Sequence, residues 1–368
     1  MEEPKDFISW IWIVPDPRIV GMVTYPLGEI LLVALVGTLC RMEDWDEIVY
    51  FAEEQVDWLR RFLPFANGIA SAKTFRTVFR ALDHGAFSET FTAWLSEWGG
   101  RGVIAIDGKT LRGSKDGESG PARHVLNAFA HESGLVLGHQ TVDGKSNEIT
   151  AITAFLERLA LEGAIVTMDA MGAQKDIARR IVEKKADYIL ALKGNQALLH
   201  EDARLFLDDP EVLATCLVSS TLDAGHGRIE ERTCRATDDI AWLRERHPEW
   251  KGLRSIAAVT CARTNKKTGQ TTSETRLYIT SLPPEAKPIL DASRAHWSVE
   301  NNLHWTLDVT FREDACRCRK DNGALNLSLI RKAAINLIKH DKTCKLPLKR
   351  KHLKAAMDHE YRAILIGR

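Results

Sequence analysis

The run Val103-Ile104-Ala105-Ile106 ends at Asp107, and a second apolar run, Ala164 to Met168, ends at Asp169. Short apolar runs of this kind are typical of the buried strands of a parallel sheet. We expect the two strands to be neighbours, and the carboxyl ends of neighbouring parallel strands meet at one edge of an open α/β sheet. The sequence therefore predicts two aspartates side by side at one edge of a sheet.

The elements around these two strands follow the order β-β-β-α-β-α-β. The other predicted strands are Ala122 to Ala130, Val136 to Val142 and Tyr188 to Leu192, and the predicted helices are Glu148 to Leu161 and Lys175 to Lys184. A sheet that begins with an antiparallel meander and continues through βαβ units is the RNase H-like arrangement. The predicted fold class is therefore α/β, with an RNase H-like mixed-sheet core.

The rest of the chain divides by its patterning into flanking segments. Residues 1–98 form an N-terminal helical domain in this prediction, with helices at Leu27 to Cys40, Trp45 to Leu63, Ser71 to Leu82 and Phe87 to Trp98. Gly99-Gly100 marks its boundary with the first part of the core, residues 99–193. Residues 194–285 are too long for a loop and predict a β-rich insertion subdomain, with strands at Ser255 to Cys261 and Arg276 to Ile279. Residues 286–340 resume the core, with helices at Pro288 to Leu307 and Leu325 to Ile338, and residues 341–368 form a basic C-terminal tail.

The formal net charge of the chain is zero, but the charge is unevenly distributed. Between Arg317 and Lys354 there are 12 Lys or Arg and two acids. Because phosphate contacts need local positive charge, this run favours a nucleic-acid partner, and a solvated basic surface is the alternative. The seven cysteines contain no CxxC pair and support neither a zinc knuckle nor a disulfide framework. With no segment long enough to span a membrane and no secretion signal, we expect a cytoplasmic, nucleoid-associated protein.

A third acid, Glu300, follows in the helical run His296 to Trp305. Three carboxylates at one sheet edge suit Mg²⁺, and two such ions roughly 3.5–4 Å apart can activate a water or a 3′-hydroxyl for phosphoryl transfer on nucleic acid. The alternative for Asp107 and Asp169 is that each caps the turn that follows it. For Glu300 the alternative is a solvated surface acid, and by spacing alone three other acids compete with it: Asp308, Glu313 and Asp314.

His296, Glu300 and His304 recur every four residues, which raises the question of zinc. The two histidines are eight residues apart, so about 12 Å of helix rise separates them. Both cannot easily reach one zinc ion at about 2 Å. We therefore expect the histidines to contact phosphate or to satisfy local hydrogen bonds.

Several basic and polar side chains follow the predicted strands, occupy the turn His226-Gly227-Arg228, or lie on the Glu300 helix and in the basic run. Such groups can hold a DNA backbone beside the metals. The predicted DNA-binding residues are Lys109, Arg112, Lys193, Asn195, Arg228, His296, Asn301, His304, Arg317, Arg319 and Lys320. Trp297 and Trp305 are expected in the core, since base stacking requires exposure.

Taken together, several stretches carry a resemblance that each alone would not. They are Ile106 to Gly113, Lys145 to Ile149, Asp169 to Gln174, Asp187 to Gln196, His226 to Arg228 and His296 to Asp314. With these stretches the chain resembles the DDE insertion-sequence transposases of the H-repeat-associated (ISAs) family over nearly its whole length. The resemblance implies an RNase H-like core interrupted by a β-rich insertion, and a catalytic and metal-binding triad at Asp107, Asp169 and Glu300. It also implies Mg²⁺, with Mn²⁺ as a substitute, and a homodimer that cleaves double-stranded DNA at terminal inverted repeats and joins it to target DNA.

The sequence departs from that family at several positions. Family members usually carry Pro-Ser-His-Asp-Thr where this chain has Ala70-Ser71-Ala72-Lys73-Thr74, and Ala173 replaces a frequent Cys. Around the third acid, relatives place Tyr, Arg, Glu and Lys where this chain has Ser293, His296, Glu300 and Leu307. The altered stretch at Ala70 to Lys73 keeps open the alternative of a transposase-derived DNA-binding protein without catalysis. A metal-dependent nuclease that cuts without joining is a further alternative.

Overall fold

The computed structural model describes residues 7–96, 98, 101–115, 120–142, 148–225 and 227–367. The chain forms two compact units. The first comprises Met1–Gly99, Gly108–Asn147 and Glu300–Arg368, and the second comprises Gly100–Asp107 and Glu148–Val299. The predicted boundary at Gly99-Gly100 lies outside the described residues, and the division into functional domains stays a prediction.

The helices and strands are named here in chain order. The helices are α1 (Phe7–Ile13), α2 (Leu27–Leu39), α3 (Trp45–Glu54), α4 (Val56–Leu59), α5 (Ala72–Ala81), α6 (His84–Ser96), α7 (Glu148–Arg158), α8 (Lys175–Glu183), α9 (Ala197–Asp208), α10 (Pro210–Thr215), α11 (Ala241–Arg246), α12 (Ala286–His296), α13 (Gly323–His340), α14 (Leu348–Met357) and α15 (His359–Leu365). The strands are β1 (Gly102–Leu111), β2 (Arg123–Ala130), β3 (Leu135–Val142), β4 (Ala164–Met168), β5 (Asp187–Leu192), β6 (Leu217–Gly225), β7 (Arg228–Thr237), β8 (Ser255–Asn265) and β9 (Thr271–Thr280).

The second unit is built on a mixed sheet. The first residues of β1 pair in parallel with β4, β4 pairs in parallel with β5, and β5 pairs antiparallel with β9. Strands β9, β8, β7 and β6 then continue as an antiparallel meander. Helix α12 packs on this sheet, and Ile289 and Leu290 join a buried cluster with Val103, Ile189 and Tyr278. The strands of the predicted insertion therefore extend the same sheet as the core strands β4 and β5.

The first unit is centred on two helices that are buried all round. Every residue of α2 is buried, and so is every residue of α13 from Gly323 to Ile338. The apolar sequence of α2 is typical of a helix in the interior of a domain. Helix α13 packs against α2 and also buries polar side chains, among them Asn326, Lys332 and Asn336. The same unit holds the antiparallel hairpin of β2 and β3, against which α6 and α13 pack. Asp44 caps α3, accepting hydrogen bonds from the amides of Asp46 and Glu47.

The strand and helix order predicted for the core is confirmed, with boundaries that differ by a few residues. The largest difference is in β1, which was expected to end before Asp107 and continues to Leu111. Lys109 and Leu111 are buried while Thr110 is exposed, so the alternation typical of a strand persists beyond the apolar run. Asp107 therefore lies within the strand and not at its end.

Strands β6 and β7 are missing from the prediction, and β8 and β9 are longer than predicted. In the part of the turn His226-Gly227-Arg228 that the structure describes, Gly227 has a φ of +76° and Gly225 pairs with Arg228, which closes the β6–β7 hairpin. A left-handed backbone at this position favours glycine. His226 lies outside the described residues.

The predicted basic tail contains two helices, α14 and α15, and some of its cations are buried. Lys351 donates to the carbonyl oxygens of Ile338 and Asp341, and Arg362 donates to those of Ala355 and Ala356. These cations satisfy backbone acceptors at helix ends. The local charge of this segment is therefore only partly available to a partner. Among the described helices, none is long and apolar enough to cross a membrane.

Lys332 lies on the buried helix α13 of the first unit, and its side chain is fully enclosed. Its Nζ is 2.6 Å from Nδ1 of His139 and 3.0 Å from Oγ of Ser328. Burial lowers the pKa of Lys332 to about 7, although the negative charge of Glu313 acts in the opposite direction. An ammonium group deprived of water is costly, and the pKa falls because the neutral amine is tolerated better.

The pH dependence of the free energy of unfolding tests whether burial lowers the pKa of Lys332. The unfolded chain keeps Lys332 protonated up to its ordinary pKa of 10.5, so between pH 7 and 10.5 the unfolded state binds more protons and stability rises with pH. Between pH 7 and pH 9, the free energy of urea unfolding should rise more for wild type than for Lys332→Met, by up to about 1.4 kcal/mol per pH unit. The exposed Lys342→Met is the control and should follow wild type. Equal pH dependence in wild type and Lys332→Met would contradict the assignment.

Candidate functional site

Asp107 lies on β1, and Asp169 directly follows β4, the parallel neighbour of β1 in the second unit. The β1–β4 ladder ends at the pair Ala105–Thr167, so each aspartate follows two residues after the last paired residue of its strand. Neighbouring strands are about 4.8 Å apart. The two aspartates that the sequence singles out therefore both follow the carboxyl end of the same ladder.

Asp169 also caps the turn that follows β4. Its Oδ1 accepts hydrogen bonds from the amides of Met171 at 3.0 Å and Gly172 at 3.4 Å, at the start of the 3₁₀ turn Ala170–Gly172. Its Oδ2 has no hydrogen-bond partner among the described residues, and the side chain is exposed. The capping interpretation is therefore correct for Asp169, and it fixes the carboxylate while one oxygen stays available.

His296 is the neighbour of this pair on the α12 side. Its Nδ1 is 3.2 Å from Oγ1 of Thr167, two residues before Asp169 on β4. Burial lowers the pKa of His296, and the negative charge of Asp169 acts in the opposite direction. The imidazole is therefore a neutral group beside the carboxylate at neutral pH, able to donate or accept a hydrogen bond.

The segment that carries Glu300 is not the regular α-helix that the sequence predicts. Helix α12 ends at His296, and the chain continues as π-helical turns over Val299–His304 and Thr306–Thr310. The hydroxyl of Thr306 donates to the carbonyl oxygen of Asn302, which competes with the i→i+4 amide that an α-helix would place there. Val299, Leu303 and Leu307, whose spacing gives an apolar stripe, are nevertheless fully buried. Glu300 belongs to the first unit, is exposed, and forms no ion pair with the described residues.

The three acids that compete with Glu300 by spacing surround Lys109. Nζ of Lys109 is 2.6 Å from Asp308, 3.6 Å from Asp314 and 3.9 Å from Glu313. Arg331 is also 3.9 Å from Glu313. Burial raises the pKa of Asp308, and its hydrogen bond with Lys109 acts in the opposite direction. These carboxylates are thus occupied by a buried cation, which leaves Glu300 as the acid of this segment that is free of such a partner.

Lys109 and His304 were predicted to contact DNA, but both are built into the first unit. Lys109 is 7% exposed. His304 lies 3.4 Å from Nδ2 of Asn127, and burial lowers its pKa to about 3, with the charge of Lys109 acting in the same direction. Both groups have the surroundings of structural residues, a neutral imidazole and a paired ammonium.

The other predicted DNA-binding residues are at or near the surface. Arg112, Lys193, Asn195, Asn301, Arg317 and Lys320 are exposed, and Arg319 is half-buried. Asn195 donates to the carbonyl oxygen of Ala170 at 2.6 Å, which ties the loop after β5 to the turn after Asp169. Arg228 is exposed but pairs with Glu230 at 2.6 Å.

Both tryptophans that were expected in the core are exposed, and this prediction is wrong. Trp305 is 57% exposed and Trp297 is 37% exposed. Trp297 lies beneath the guanidinium of Arg276, 4.5 Å from the ring centroid. Cation–π contact lets an indole remain at the surface with one face covered.

Sequence reasoning missed two cations of the N-terminal helices, Arg76 and Arg80. They are one turn apart on α5 and so project from the same side of that helix. Their i, i+4 spacing was the only signal in the sequence. Across the described residues, no three His, Cys, Asp or Glu side chains are grouped closely enough to hold a metal ion.

The parallel strands β1, β4 and β5, the β2–β3 hairpin and the interleaved helices define an RNase H-like α/β fold. The family model described as "Transposase DDE domain" matches residues 98–337, and the model described as "DDE_Tnp_1-associated" matches residues 9–95. The chain therefore belongs to the DDE transposase family.

Relatives in bacteria agree with this assignment. "H repeat-associated putative transposase YhhI" of Escherichia coli K12 is 38% identical over 99% of this chain and 98% of its own length. "Putative transposase YncI" of Escherichia coli O157:H7 is 38% identical over 97% of this chain and 93% of its own length. A shorter relative from the K12 strain, "Inactive transposase YbfQ", is 34% identical over only 18% of this chain.

Replacing Lys109 tests whether it is a structural cation. Lys109→Met leaves buried carboxylates without their cation, and we expect the free energy of unfolding to fall by about 2–3 kcal/mol. This is less than the full cost of breaking a buried ion pair, because Asp308 and Asp314 are partly exposed. The exposed Lys115→Met should change stability by less than about 0.5 kcal/mol. Denaturant unfolding of both variants measures this. A Lys109→Met protein of wild-type stability with weakened DNA binding would reverse the assignment.

Proposed function

We propose that this protein catalyses metal-dependent cleavage at the ends of a transposable DNA element and strand transfer into target DNA. The observation that supports the proposal is the parallel β1–β4 ladder, because Asp107 and Asp169 each follow two residues after its last pair, Ala105 with Thr167. Family membership supplies the class of reaction, and the paired carboxylates supply a place for it. Double-stranded DNA, with terminal inverted repeats and target sites, is the proposed partner of a nucleoid-associated homodimer.

Asp107, Asp169 and Glu300 are the proposed metal ligands and catalytic residues. Carboxylate oxygens are the ligands that Mg²⁺ takes, and Mn²⁺ accepts the same set. The hydrogen bonds from the amides of Met171 and Gly172 to Oδ1 of Asp169 support this role, because ligating carboxylates are commonly oriented by such partners. Divalent ions bound there would activate a water or a 3′-hydroxyl and stabilise the leaving oxygen.

The proposed DNA contacts are the exposed or half-buried members of the predicted set. Arg112, Lys193, Asn195, Arg228, Asn301, Arg317, Arg319 and Lys320 remain in it. His296, adjacent to Asp169, is proposed to hydrogen-bond a phosphate oxygen or a metal-bound group as a neutral donor. Lys109 and His304 are left out because Lys109 is buried and ion-paired, and His304 is half-buried beside Asn127.

Asp169→Asn tests the catalytic assignment. It should lower Mg²⁺-dependent nicking and joining of a duplex that carries the gene's own flanking ends by more than about a hundredfold, because several kcal/mol of charge stabilisation are lost. Binding of the same duplex should change little, since amide and carboxylate have the same shape. Asp176→Asn, an exposed ion-paired acid on α8, is the matched control. Wild-type cleavage rates in Asp169→Asn would refute the assignment.

The products of the same assay separate the alternatives. Nicked ends together with joined product identify a transposase, and nicking without joining identifies a nuclease. Binding without cleavage in either Mg²⁺ or Mn²⁺, by wild type as well, would identify a DNA-binding protein without catalysis. Terminal inverted repeats flanking the gene favour the first outcome.

A second comparison tests the third acid. Glu300→Gln should lower cleavage to the level of Asp169→Asn with an unchanged melting temperature, because Glu300 is exposed and has no ionic partner in the part of the chain that the structure describes. Asp308→Asn should instead lower the melting temperature by a few degrees, since it removes the closest carboxylate to the buried Lys109. Thermal unfolding and cleavage are measured on both proteins. Loss of cleavage in Asp308→Asn with full activity in Glu300→Gln would transfer the role to Asp308.

A further inference from the structure

The first unit contains a cavity of about 640 Å³ that the proposed metal site does not use. It is formed by the segment before and at the start of α3, one side of α5, and the loop between the π-helical turns and α13. Six cations line it: Arg76, Arg80, Arg312, Arg317, Arg319 and Lys320. Three acids, Glu43, Asp44 and Asp46, line it as well. The cavity is therefore positive, with a volume in the range that small-molecule sites occupy.

The acids do not neutralise all of the cations. Arg76 pairs with Asp46, Arg312 pairs with Glu43, and the Asp44 carboxylate is committed to capping α3. Arg80 pairs with Asp321, outside the cavity lining. Arg317, Arg319 and Lys320 form no ion pair with any residue that the structure describes, and the enclosed Nε of Arg319 has no hydrogen-bond partner there. Three cationic side chains thus converge on the cavity without counter-charge.

The loop that carries these cations is held in place. A Cβ on Gly113 would lie 2.1 Å from the carbonyl oxygen of Cys316, so the turn after β1 approaches the loop as closely as only glycine allows. Arg312 and Asp321, at the two ends of the loop, both have a φ of +51°. A loop fixed at these points presents its cations with little ordering cost when a ligand arrives.

We propose that this cavity binds the phosphate of a nucleotide. Arginines that converge on one space present paired donors that match phosphate oxygens, and a charge-assisted hydrogen bond to phosphate is stronger than an exposed ion pair. Asp46 and Glu43 hold Arg76 and Arg312 through such exposed pairs, which contribute little. A phosphate can therefore replace these two carboxylates at a small cost in free energy. Arg76 and Arg312 then become available to bind the phosphate.

The inference deepens the proposed function, because a DNA strand is one source of nucleotide phosphate and a free nucleotide is the other. The volume of the cavity, about 640 Å³, suits a group of nucleotide size. Its cations come from both the segment matched by the transposase-associated model and the segment matched by the DDE model. Phosphate bound there would be held by both parts of the first unit.

The test uses the full chain with Asp169→Asn and no added metal, so that cleavage cannot interfere. The probes are a labelled single strand of about five nucleotides and 5′-dAMP as competitor, measured by fluorescence anisotropy. Arg317→Ala and Lys320→Ala should each weaken strand binding about tenfold and reduce the slope of log affinity against log salt by about 0.7. Asp46→Asn should tighten binding, because it frees Arg76. The control is Arg60→Ala, an exposed ion-paired arginine away from the cavity.

The outcomes decide both the site and the source. If dAMP displaces the strand and the same variants weaken both, free nucleotides also occupy the cavity. If dAMP does not compete while the variants still weaken strand binding, the phosphate belongs to a DNA strand. Unchanged binding in Arg317→Ala and Lys320→Ala, or an equal loss in Arg60→Ala, would overturn the proposal. Because the assay needs neither metal nor Asp169, its failure is distinct from a failure of the proposed catalysis.

Discussion

The parallel pairing of β1 with β4 is the constraint on which the candidate catalytic site depends. Parallel neighbours cannot be joined by a tight turn, so the chain must leave the sheet and return through a crossover. The ladder from Gly102 to Ala105 against Ala164 to Thr167 sets which residues leave it at its carboxyl end, and Asp107 and Asp169 each follow two residues after the last pair. A slip of one residue in this pairing would turn the side chains of one strand to the other face of the sheet. The apolar residues of β1 and β4 fix the register because they are buried, so the same residues that stabilise the fold place the two carboxylates.

A second constraint is the buried charge around Lys109 in the first unit. An ammonium group and the nearly enclosed Glu313 would each be costly alone, and each is tolerated because the other is present. Lys109 also ties the end of β1 to the segment after Glu300 through Asp308. This explains why a lysine two residues from a catalytic candidate need not touch DNA. The charge of Lys109 is neutralised by carboxylates inside the protein. The positive charge that is available to a ligand lies on Arg317, Arg319 and Lys320.

The sequence predicted helices and strands well where an element is buried on one side or on all sides. Strand β4 and helix α2 were predicted nearly to the residue because apolar runs of their lengths have few alternatives. Strands β6 and β7 were missed because their exposed and polar residues follow no clear alternation. The π-helical turns around Glu300 could not be foreseen, since the apolar stripe at Val299, Leu303 and Leu307 fits an α-helix as well. Long-range ion pairs such as Lys109 with Asp308 have no signature in a single sequence.

Stability does not account for every acid in the proposed triad. Asp169 contributes to the fold as a cap, so its presence alone does not discriminate between a catalytic and a structural role. Glu300 is different, because it is exposed on a π-helical segment and pairs with none of the charged residues that the structure describes, so it contributes little to folding. Wider turns of this kind are uncommon and are found frequently at functional sites. Of the acids in the proposed triad, Glu300 is therefore the one whose position is hardest to explain without a ligand. It lies on the π-helical segment, where the backbone departs from the ordinary α-helix.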